Sequence, residues 1–205
     1  AGEPDWLMSA DSYASIYHRE LTGTSHFSIV DQYGNAVSMT TTIESGFGSR
    51  LMSGGFLLNN ELTDFSALPE KDGVPVANRI EPGKRPRSSM APTMIFSPDG
   101  NLFMVIGSSG GSRIINYVVK TIVAVIDFEQ DIQSAIASPN FSNRNGPTDL
   151  EEESIASQWQ KKLMTLGHEV EVKNLNSGLH GILRQPDGSL AGGADPRREG
   201  IVLGD

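Results

Sequence analysis

Two early segments of the chain alternate apolar with polar residues. Phe27 and Ile29 lie in the first segment, and Val37 and Met39 lie in the second. A period of two is typical of a β-strand that turns one apolar face to the protein interior. The pattern predicts a hairpin with strands over residues 26–31 and 36–43, joined by a turn over residues 32–35.

The remaining patterns predict further strands and several helices. Strands are predicted over residues 93–96, 101–107, 169–173, 181–185 and 190–193. Helices are predicted over residues 9–17, capped by Ser9, over the apolar residues 114–127, and over residues 150–166, which open with three glutamates. This order of elements favours a mixed α/β domain with helices packed on an antiparallel sheet.

Composition and charge narrow the possible functions. The chain has 205 residues and a net charge of −9, and it has no basic stripe to contact nucleic-acid phosphates. The absence of Cys excludes disulfides and Cys-ligated zinc. His26, His168 and His180 lack metal-ligand spacing and are expected to be structural, so we predict no metal and no cofactor. No apolar run approaches the roughly 20 residues of a membrane span.

Thr24 opens the first strand segment, in the run Thr24-Ser25-His26. A threonine that becomes a free N-terminus acquires a general base in its own α-amine, whose pKa is typically about 7.7 to 8.0. The alternative interpretation is an ordinary strand threonine, because β-branched residues favour strands.

A glycine-rich loop over residues 107–113 separates a predicted strand from a predicted helix. Gly110 and Gly111 allow backbone N–H groups to turn toward one point, as in an oxyanion hole or an anion site. A tight structural turn is the alternative. A nucleotide-phosphate loop is disfavoured because no P-loop lysine follows.

Two polar segments carry candidate binding side chains. Glu61 and Asp64 follow an apolar run, which suits either a capped turn or a cradle for an ammonium group. Ser88 and Ser89 follow a long loop over residues 67–87, and they suit either solvent exposure or carboxylate binding.

In this order, the motifs resemble the γ-glutamyltransferase family. The matching runs are Thr24-Ser25-His26, residues 31–35, 40–44, 58–66, 84–90 and 107–113, and Asp195-Pro196-Arg197. The resemblance implies an N-terminal nucleophile hydrolase fold, an αββα sandwich with two mainly antiparallel sheets between helix layers. It also implies that residues 24–205 are the catalytic small subunit, matured by self-cleavage of the Gly23–Thr24 bond.

The resemblance assigns catalytic roles to four residues. Thr24 is implied to be the nucleophile, and Thr42 to support its hydroxyl group. Gly110 and Gly111 match the oxyanion-hole glycines. These roles imply an acyl-enzyme on Thr24 that water or an acceptor amine resolves.

Five residues are implied to bind the substrate. Glu61 and Asp64 match residues that hold the substrate α-ammonium, and Ser88 and Ser89 match the pair that binds its α-carboxylate. Glu44 stands where better-studied transpeptidases have Asn. We expect three neighbouring carboxylates, and like-charge repulsion would then raise at least one pKa.

Two further features depart from the family pattern. The lid segment, residues 67–87, has no Tyr, which predicts a more open site. Residues 1–23 resemble the end of the large subunit, through Gly2-Glu3-Pro4-Asp5-Trp6, but with a short linker, so we expect a remnant of that subunit or a precursor linker. The family's carboxylate-binding arginine lies in the large subunit, which is therefore the expected partner.

The sequence is compatible with three functions. The first is hydrolysis or transfer of the γ-glutamyl group of glutathione-like small molecules. The second is a cephalosporin or glutaryl acylase on the same fold, and the third is a non-catalytic anion-binding module. A periplasmic or secreted location is expected from the resemblance.

Overall fold

The structure is a computed structural model that describes residues 23–204. The helix predicted over residues 9–17 and the predicted large-subunit remnant up to residue 22 lie outside this range. The described residues group into two compact units. The first unit contains Gly23 and residues 43–88, and the second contains residues 24–42 and 89–204.

The strands and helices of these residues have the following bounds. The strands are β1 (Thr24–Val30), β2 (Ala36–Thr42), β3 (Met52–Ser53), β4 (Phe56–Leu57), β5 (Glu70–Lys71), β6 (Val74–Pro75), β7 (Thr93–Phe96), β8 (Leu102–Gly107), β9 (Phe141–Asn143), β10 (Thr148–Glu151), β11 (Val170–Lys173), β12 (His180–Arg184) and β13 (Leu190–Ala194). The α-helices are α1 (Ile114–Ile126), α2 (Ile132–Ala137) and α3 (Gln160–Thr165). Short 3-10 helices cover Glu61–Asp64, Gly111–Arg113 and Ile155–Trp159.

An antiparallel sheet in the order β13-β12-β8-β7 forms the centre of the second unit. Gly181 of β12 lies beside Ile106 of β8, and both lie against Ile132 of α2. Gly107 follows Ile106 and lies against His26 of β1. Since successive strand residues point to opposite faces, α2 and the β1–β2 hairpin cover opposite faces of the sheet.

This unit confirms the predicted mixed α/β class with mainly antiparallel sheets. The buried core lies between the sheet and the helices and includes Met104, Ile106, Tyr117, Ile132 and Ile136. Helix α1 occupies the predicted segment, and the strands predicted near residues 93–107 and 169–193 are also present.

The hairpin has the predicted turn but packs through the opposite face from the one expected. Asp31 accepts hydrogen bonds from the backbone N–H groups of Tyr33 and Asn35, which closes the turn. His26 is 6% exposed, whereas Ile29 is 51% exposed. The exposed apolar side chains of β1 and β2 are Phe27, Ile29, Val37 and Met39, whereas the face that lies toward β8 and β12 is mostly polar.

The predicted helix over residues 150–166 is wrong in its first half. Thr148–Glu151 forms β10, which pairs parallel with β11 and antiparallel with β9. The Glu151 carboxylate accepts hydrogen bonds from Arg197 and from the Asn140 N–H, which holds it in the strand. Glu153 adopts a positive φ of 53°, so a regular helix begins only at Gln160.

The first unit consists of short ribbons and turns. Strand β3 pairs with β4, and β5 pairs with β6, both antiparallel. The segment over residues 67–87 thus contains a small hairpin rather than an irregular loop throughout. Arg79 and Lys84 both form ion pairs with Glu81, which ties the end of this segment together.

Candidate functional site

Thr24 is the first residue of β1, directly opposite Thr42 in the β1–β2 register. Its hydroxyl group donates a hydrogen bond to the Thr42 hydroxyl oxygen, with 3.1 Å between the two Oγ1 atoms. The short turn fixes this pairing, because Val30 pairs with Ala36 next to the turn and each earlier residue of β1 pairs with the next residue of β2, without a bulge. Both side chains lie on the polar face of the hairpin.

His26 lies on the same face as Thr24, because it is two residues further along β1. Its Nδ1 lies 2.8 Å from the Thr40 hydroxyl, and its Nε2 lies 3.1 Å from the Ser28 hydroxyl. Burial, and then the charge of nearby His180, lower the pKa of His26 to about 4. The imidazole is therefore neutral at neutral pH and joins the polar face as a hydrogen-bonding group.

The same imidazole sets a close approach between β1 and β8. A Cβ atom on Gly107 would lie 2.2 Å from the ring of His26, so only glycine fits at that position. Gly107 leads directly into the glycine-rich loop. His26 is predicted from the sequence to be structural, but its period-two spacing from Thr24 is the signal that puts it on the same face as the candidate nucleophile.

Thr24 lines an open cleft of about 1330 Å³. Its lining includes Thr24, His26, Ser109, His180 and Arg198. All of these residues belong to the second unit. Thr24 and Ser109 of the glycine-rich loop therefore line the same space.

Gly110 and Gly111 follow Ser109 in conformations that favour glycine. Their φ angles are 130° and 60°. A Cβ atom on Gly110 would also lie 2.6 Å from the ring of Tyr117. The loop then enters the 3-10 turn at Gly111 and continues into α1, so the two glycines lie at the N-terminal end of a helix.

In the first unit, three carboxylates are close enough to perturb one another. Burial raises the pKa of Glu44 above its ordinary value, and the charges of Asp64 and Glu61 raise it further, while Arg87 opposes them. Burial and Asp64 also raise the pKa of Glu61. The expectation that at least one of these carboxyl groups has a raised pKa is confirmed. Such a cluster favours a cationic ligand, because a positive charge relieves the repulsion.

The backbone of Glu44 is strained. Its φ is 72°, in the left-handed region that few residues other than Gly, Asn and Asp adopt. Asn60 holds the turn in place, since its Oδ1 accepts from the Ser45 N–H at 3.0 Å and its N–H donates to the Ile43 carbonyl at 3.3 Å. Asn60 therefore holds the strained turn at Glu44, and it also begins the 3-10 turn that carries Glu61 and Asp64.

Asn78 connects the acidic turn to the segment that ends at Ser88. Its Nδ2 donates to the Asp64 carbonyl oxygen at 2.6 Å, and its Oδ1 accepts from the Arg87 N–H at 3.0 Å. Ser88 is exposed at the end of the first unit, and Ser89 is half-buried at the start of the next chain segment, in the second unit. The candidate binding residues Glu44, Glu61, Asp64 and Ser88 therefore belong to one unit.

Clusters of metal-ligating side chains and membrane-spanning helices are both absent from residues 23–204. Within that range, no group of three or more His, Asp or Glu side chains is placed to hold a metal ion. No helix within the same range is long and apolar enough to cross a membrane.

The chain matches a known protein family over most of its length. The family model described as gamma-glutamyltranspeptidase matches residues 3–204. The glutathione hydrolase proenzyme of Escherichia coli strain K12 is 39% identical over 189 residues, which cover 87% of this chain and 32% of that protein. The chain therefore spans about a third of the length of this relative.

Solved structures resemble the chain in fold. A crystal structure of a Helicobacter pylori gamma-glutamyltranspeptidase mutant is 36% identical with a TM-score of 0.74, covering 84% of this chain and 99% of that chain. A cephalosporin acylase from Bacillus halodurans is 27% identical with a TM-score of 0.74, covering 87% of this chain and 33% of that chain.

Proposed function

The chain belongs to the gamma-glutamyltranspeptidase family of N-terminal nucleophile hydrolases, and on this premise we propose that it is the catalytic part of a glutathione hydrolase. The observation that carries the proposal is Thr24, which lies at the start of β1, donates a hydrogen bond to the Thr42 hydroxyl oxygen and lines an open cleft. The rest of the precursor supplies the second subunit and its carboxylate-binding arginine.

Maturation is the first chemical step of the proposal. The Thr24 hydroxyl attacks the Gly23 carbonyl carbon, the acyl group moves from nitrogen to oxygen, and water hydrolyses the resulting ester. The products are a new carboxyl group on Gly23 and a free α-amine on Thr24. That amine is then the general base for the same hydroxyl group.

Turnover repeats this chemistry on the substrate. Thr24 attacks the γ-glutamyl carbonyl carbon, and the backbone N–H groups of the Gly110–Gly111 loop stabilise the oxyanion. The leaving amine takes a proton and departs, which leaves a γ-glutamyl ester on Thr24. Water or an acceptor amine then attacks the ester and releases glutamate or a new γ-glutamyl amide.

The carboxylate cluster selects the acyl group in this proposal. Glu44, Glu61 and Asp64 bind the α-ammonium, and Ser88 and Ser89 donate hydrogen bonds to the α-carboxylate. The acylase is a second candidate because of the likeness to the cephalosporin acylase. A glutaryl group, however, lacks the ammonium and brings no positive charge to three carboxylates, so the cluster favours a γ-glutamyl substrate.

The proposal is tested on the full two-subunit protein with glutathione. We expect glutamate release by the wild type, a fragment that begins at Thr24 in mass spectrometry, and neither in Thr24→Ala. Ser25→Ala is the matched control, because it removes the neighbouring exposed hydroxyl and should retain both activities. Turnover by an uncleaved wild-type chain would refute the proposal. A faster rate on a glutaryl anilide than on a γ-glutamyl anilide would favour the acylase instead.

A further inference from the structure

Asp195 is a buried carboxylate that the proposed reaction does not use. It follows β13 in the Asp195-Pro196-Arg197 motif and is 1% exposed. One carboxylate oxygen, Oδ2, accepts from the Ser177 hydroxyl at 2.5 Å and from the Leu179 N–H at 3.1 Å. The other oxygen, Oδ1, accepts from the backbone N–H and the guanidinium of Arg197, each at 3.0 Å.

The charge of this carboxylate is maintained by its partners. Burial alone would raise the pKa of Asp195, but the hydrogen bonds from Ser177, Leu179 and Arg197 and the charge of Arg197 hold it below its ordinary value. Asp195 therefore stays ionised at neutral pH. It accepts hydrogen bonds from Ser177 and Leu179, the two ends of the short segment 177–179. A carboxylate buried this completely requires such partners, since an unpaired charge in the interior is strongly destabilising.

Gly178 lies between the two residues that Asp195 holds, and it contacts the start of the glycine-rich loop. Its N–H donates to the Ser108 hydroxyl at 3.2 Å, and its carbonyl oxygen accepts from the Ser109 N–H at 3.3 Å. A Cβ atom on Gly178 would lie 2.2 Å from the Ser109 hydroxyl oxygen. The two backbones are therefore in direct contact, and a shift of residue 178 moves Ser108 and Ser109.

Ser108 and Ser109 are both buried and immediately precede Gly110 and Gly111. Ser108 also donates to the Ser109 carbonyl oxygen at 2.6 Å, so the peptide that leads into Gly110 is held on its other side too. Glycine has little conformational preference of its own. The orientation of the N–H groups in this loop therefore depends on the segment that anchors it.

We propose that Asp195 is a positioning residue for the oxyanion loop: through Ser177, Leu179 and the intervening Gly178 it fixes Ser108 and Ser109, and with them Gly110 and Gly111. The inference rests on the proposed function, because it takes the Gly110–Gly111 loop to be the oxyanion hole. It assigns a role to a motif that otherwise has none. The geometry of an oxyanion hole matters because its donors must lie about 3 Å from the position of the developing charge.

The test uses Asp195→Asn in the full two-subunit protein, with rates expressed per mature subunit. The amide would place a donor against the Leu179 N–H and the Ser177 hydroxyl, or against Arg197 if the side chain turns. We expect kcat for a γ-glutamyl anilide to fall about 10- to 100-fold, less than the roughly 100- to 1000-fold loss on removing an oxyanion donor. KM should change less than twofold.

Two inhibitors distinguish a misplaced oxyanion loop from a general disruption of the active site. A boronic acid analogue of glutamate forms a tetrahedral adduct on the nucleophile, so its Ki should rise by about the same factor as kcat/KM falls. Glutamate, which contacts only the ground-state binding groups, should keep its Ki. Asp187→Asn is the matched control, because Asp187 is an exposed turn residue that accepts hydrogen bonds from Ser189 in the same turn, and the substitution should change neither constant.

A second variant keeps the test decisive if Asp195→Asn does not fold. Ser177→Ala removes one partner of Asp195 and creates little extra volume, and it should give a smaller loss in kcat with the same pattern of Ki values. Equal changes in both Ki values, or a lowered melting temperature with unchanged kcat, would overturn the inference while the proposed function stands. A wild-type protein without γ-glutamyl turnover would overturn the proposed function and the inference with it.

Discussion

Replacing Glu44 by Gln tests the acidic cluster most directly, because the substitution keeps the shape of the side chain and removes its charge. If Glu44 contacts the substrate α-ammonium, the variant loses a charge-assisted hydrogen bond. Such bonds contribute about 1.5 to 3 kcal/mol. Glu44 is only half-buried, and Arg87 lies close enough to offset part of its charge. We therefore expect a loss of about 1 to 2 kcal/mol, which is roughly a 5- to 30-fold weaker affinity.

The assay compares two inhibitors that differ in the ammonium group. L-Glutamate should bind Glu44→Gln more weakly by that factor, whereas glutarate should bind equally well or better, because one repulsive charge is removed. Glu44→Asn is a matched variant, because Asn tolerates the φ of 72° more readily than most residues while it also removes the charge. Equal losses for both inhibitors would refute the ammonium contact, and a loss confined to glutarate would favour the acylase.

The raised pKa of Glu44 adds a test by pH. A carboxyl group with a raised pKa takes up its proton at a higher pH than an ordinary glutamate, so the ammonium contact weakens as the pH falls toward that value. Glutamate affinity in the wild type should therefore decrease on acidification, beginning above the ordinary range of a glutamate. In Glu44→Gln this decrease should be smaller. Identical pH profiles for wild type and variant would show that Glu44 does not face the ligand.

Four further substitutions test other parts of the protein. Ser88→Ala and Ser89→Ala should each raise KM by the equivalent of roughly 1.5 to 3 kcal/mol with self-cleavage intact, and unchanged KM values in both would contradict the carboxylate assignment. Gly23→Ala should slow self-cleavage measured by gel electrophoresis, because its Cβ atom would lie 2.4 Å from the Glu44 carbonyl oxygen, and cleavage at the wild-type rate would contradict this. The pKa of His26 is lowered to about 4 in the folded protein, whereas the unfolded chain binds the proton near pH 6.5. The neutral His26 side chain therefore contributes its full stability above pH 6.5, and this contribution is lost as the pH falls to about 4. The loss is at most about 3 kcal/mol, and the free energy of unfolding of His26→Asn should fall less steeply over this range, whereas parallel curves would contradict the assignment.

Local signals in the sequence were sufficient for much of the fold. Asp31 precedes the turn at residues 32–35, and Gly34 lies within it; the side-chain bonds of Asp31 and the positive φ of Gly34 close the hairpin without help from distant residues. Its register then places Thr24 opposite Thr42, so this part of the site follows from the turn. Helix α1 has the expected bounds because its apolar residues are uninterrupted by Gly or Pro.

The structural features that the sequence did not predict depend on contacts between residues that are distant in sequence. Residues 148–151 form a strand because β11 pairs with them in parallel and because Arg197 binds Glu151, and neither partner is visible in the local pattern. The left-handed backbone of Glu44 depends on Asn60, which lies 16 positions further along the chain. The proximity of the three carboxylates was expected only from the family resemblance, since spacing alone does not bring residues 44 and 61 together.

The orientation of the β1–β2 hairpin, which packs through its polar face, is a further departure from the prediction and bears on the chemistry of the site. A strand that buries its polar residues departs from the usual pattern, and it is stable only if those residues find partners. In β1 and β2 the described bonds supply them: Thr24 donates to Thr42, His26 pairs with Thr40 and Ser28, and the Ser38 hydroxyl donates to the Ile106 carbonyl oxygen at 3.1 Å. An apolar inner face would pack more easily on β8 but would leave the Thr24 hydroxyl on the side away from Gly107 and the loop that follows it. Local rules of sequence are expected to fail where a functional site demands otherwise, and here the face that departs from the rule is the one that presents the proposed nucleophile to the proposed oxyanion loop.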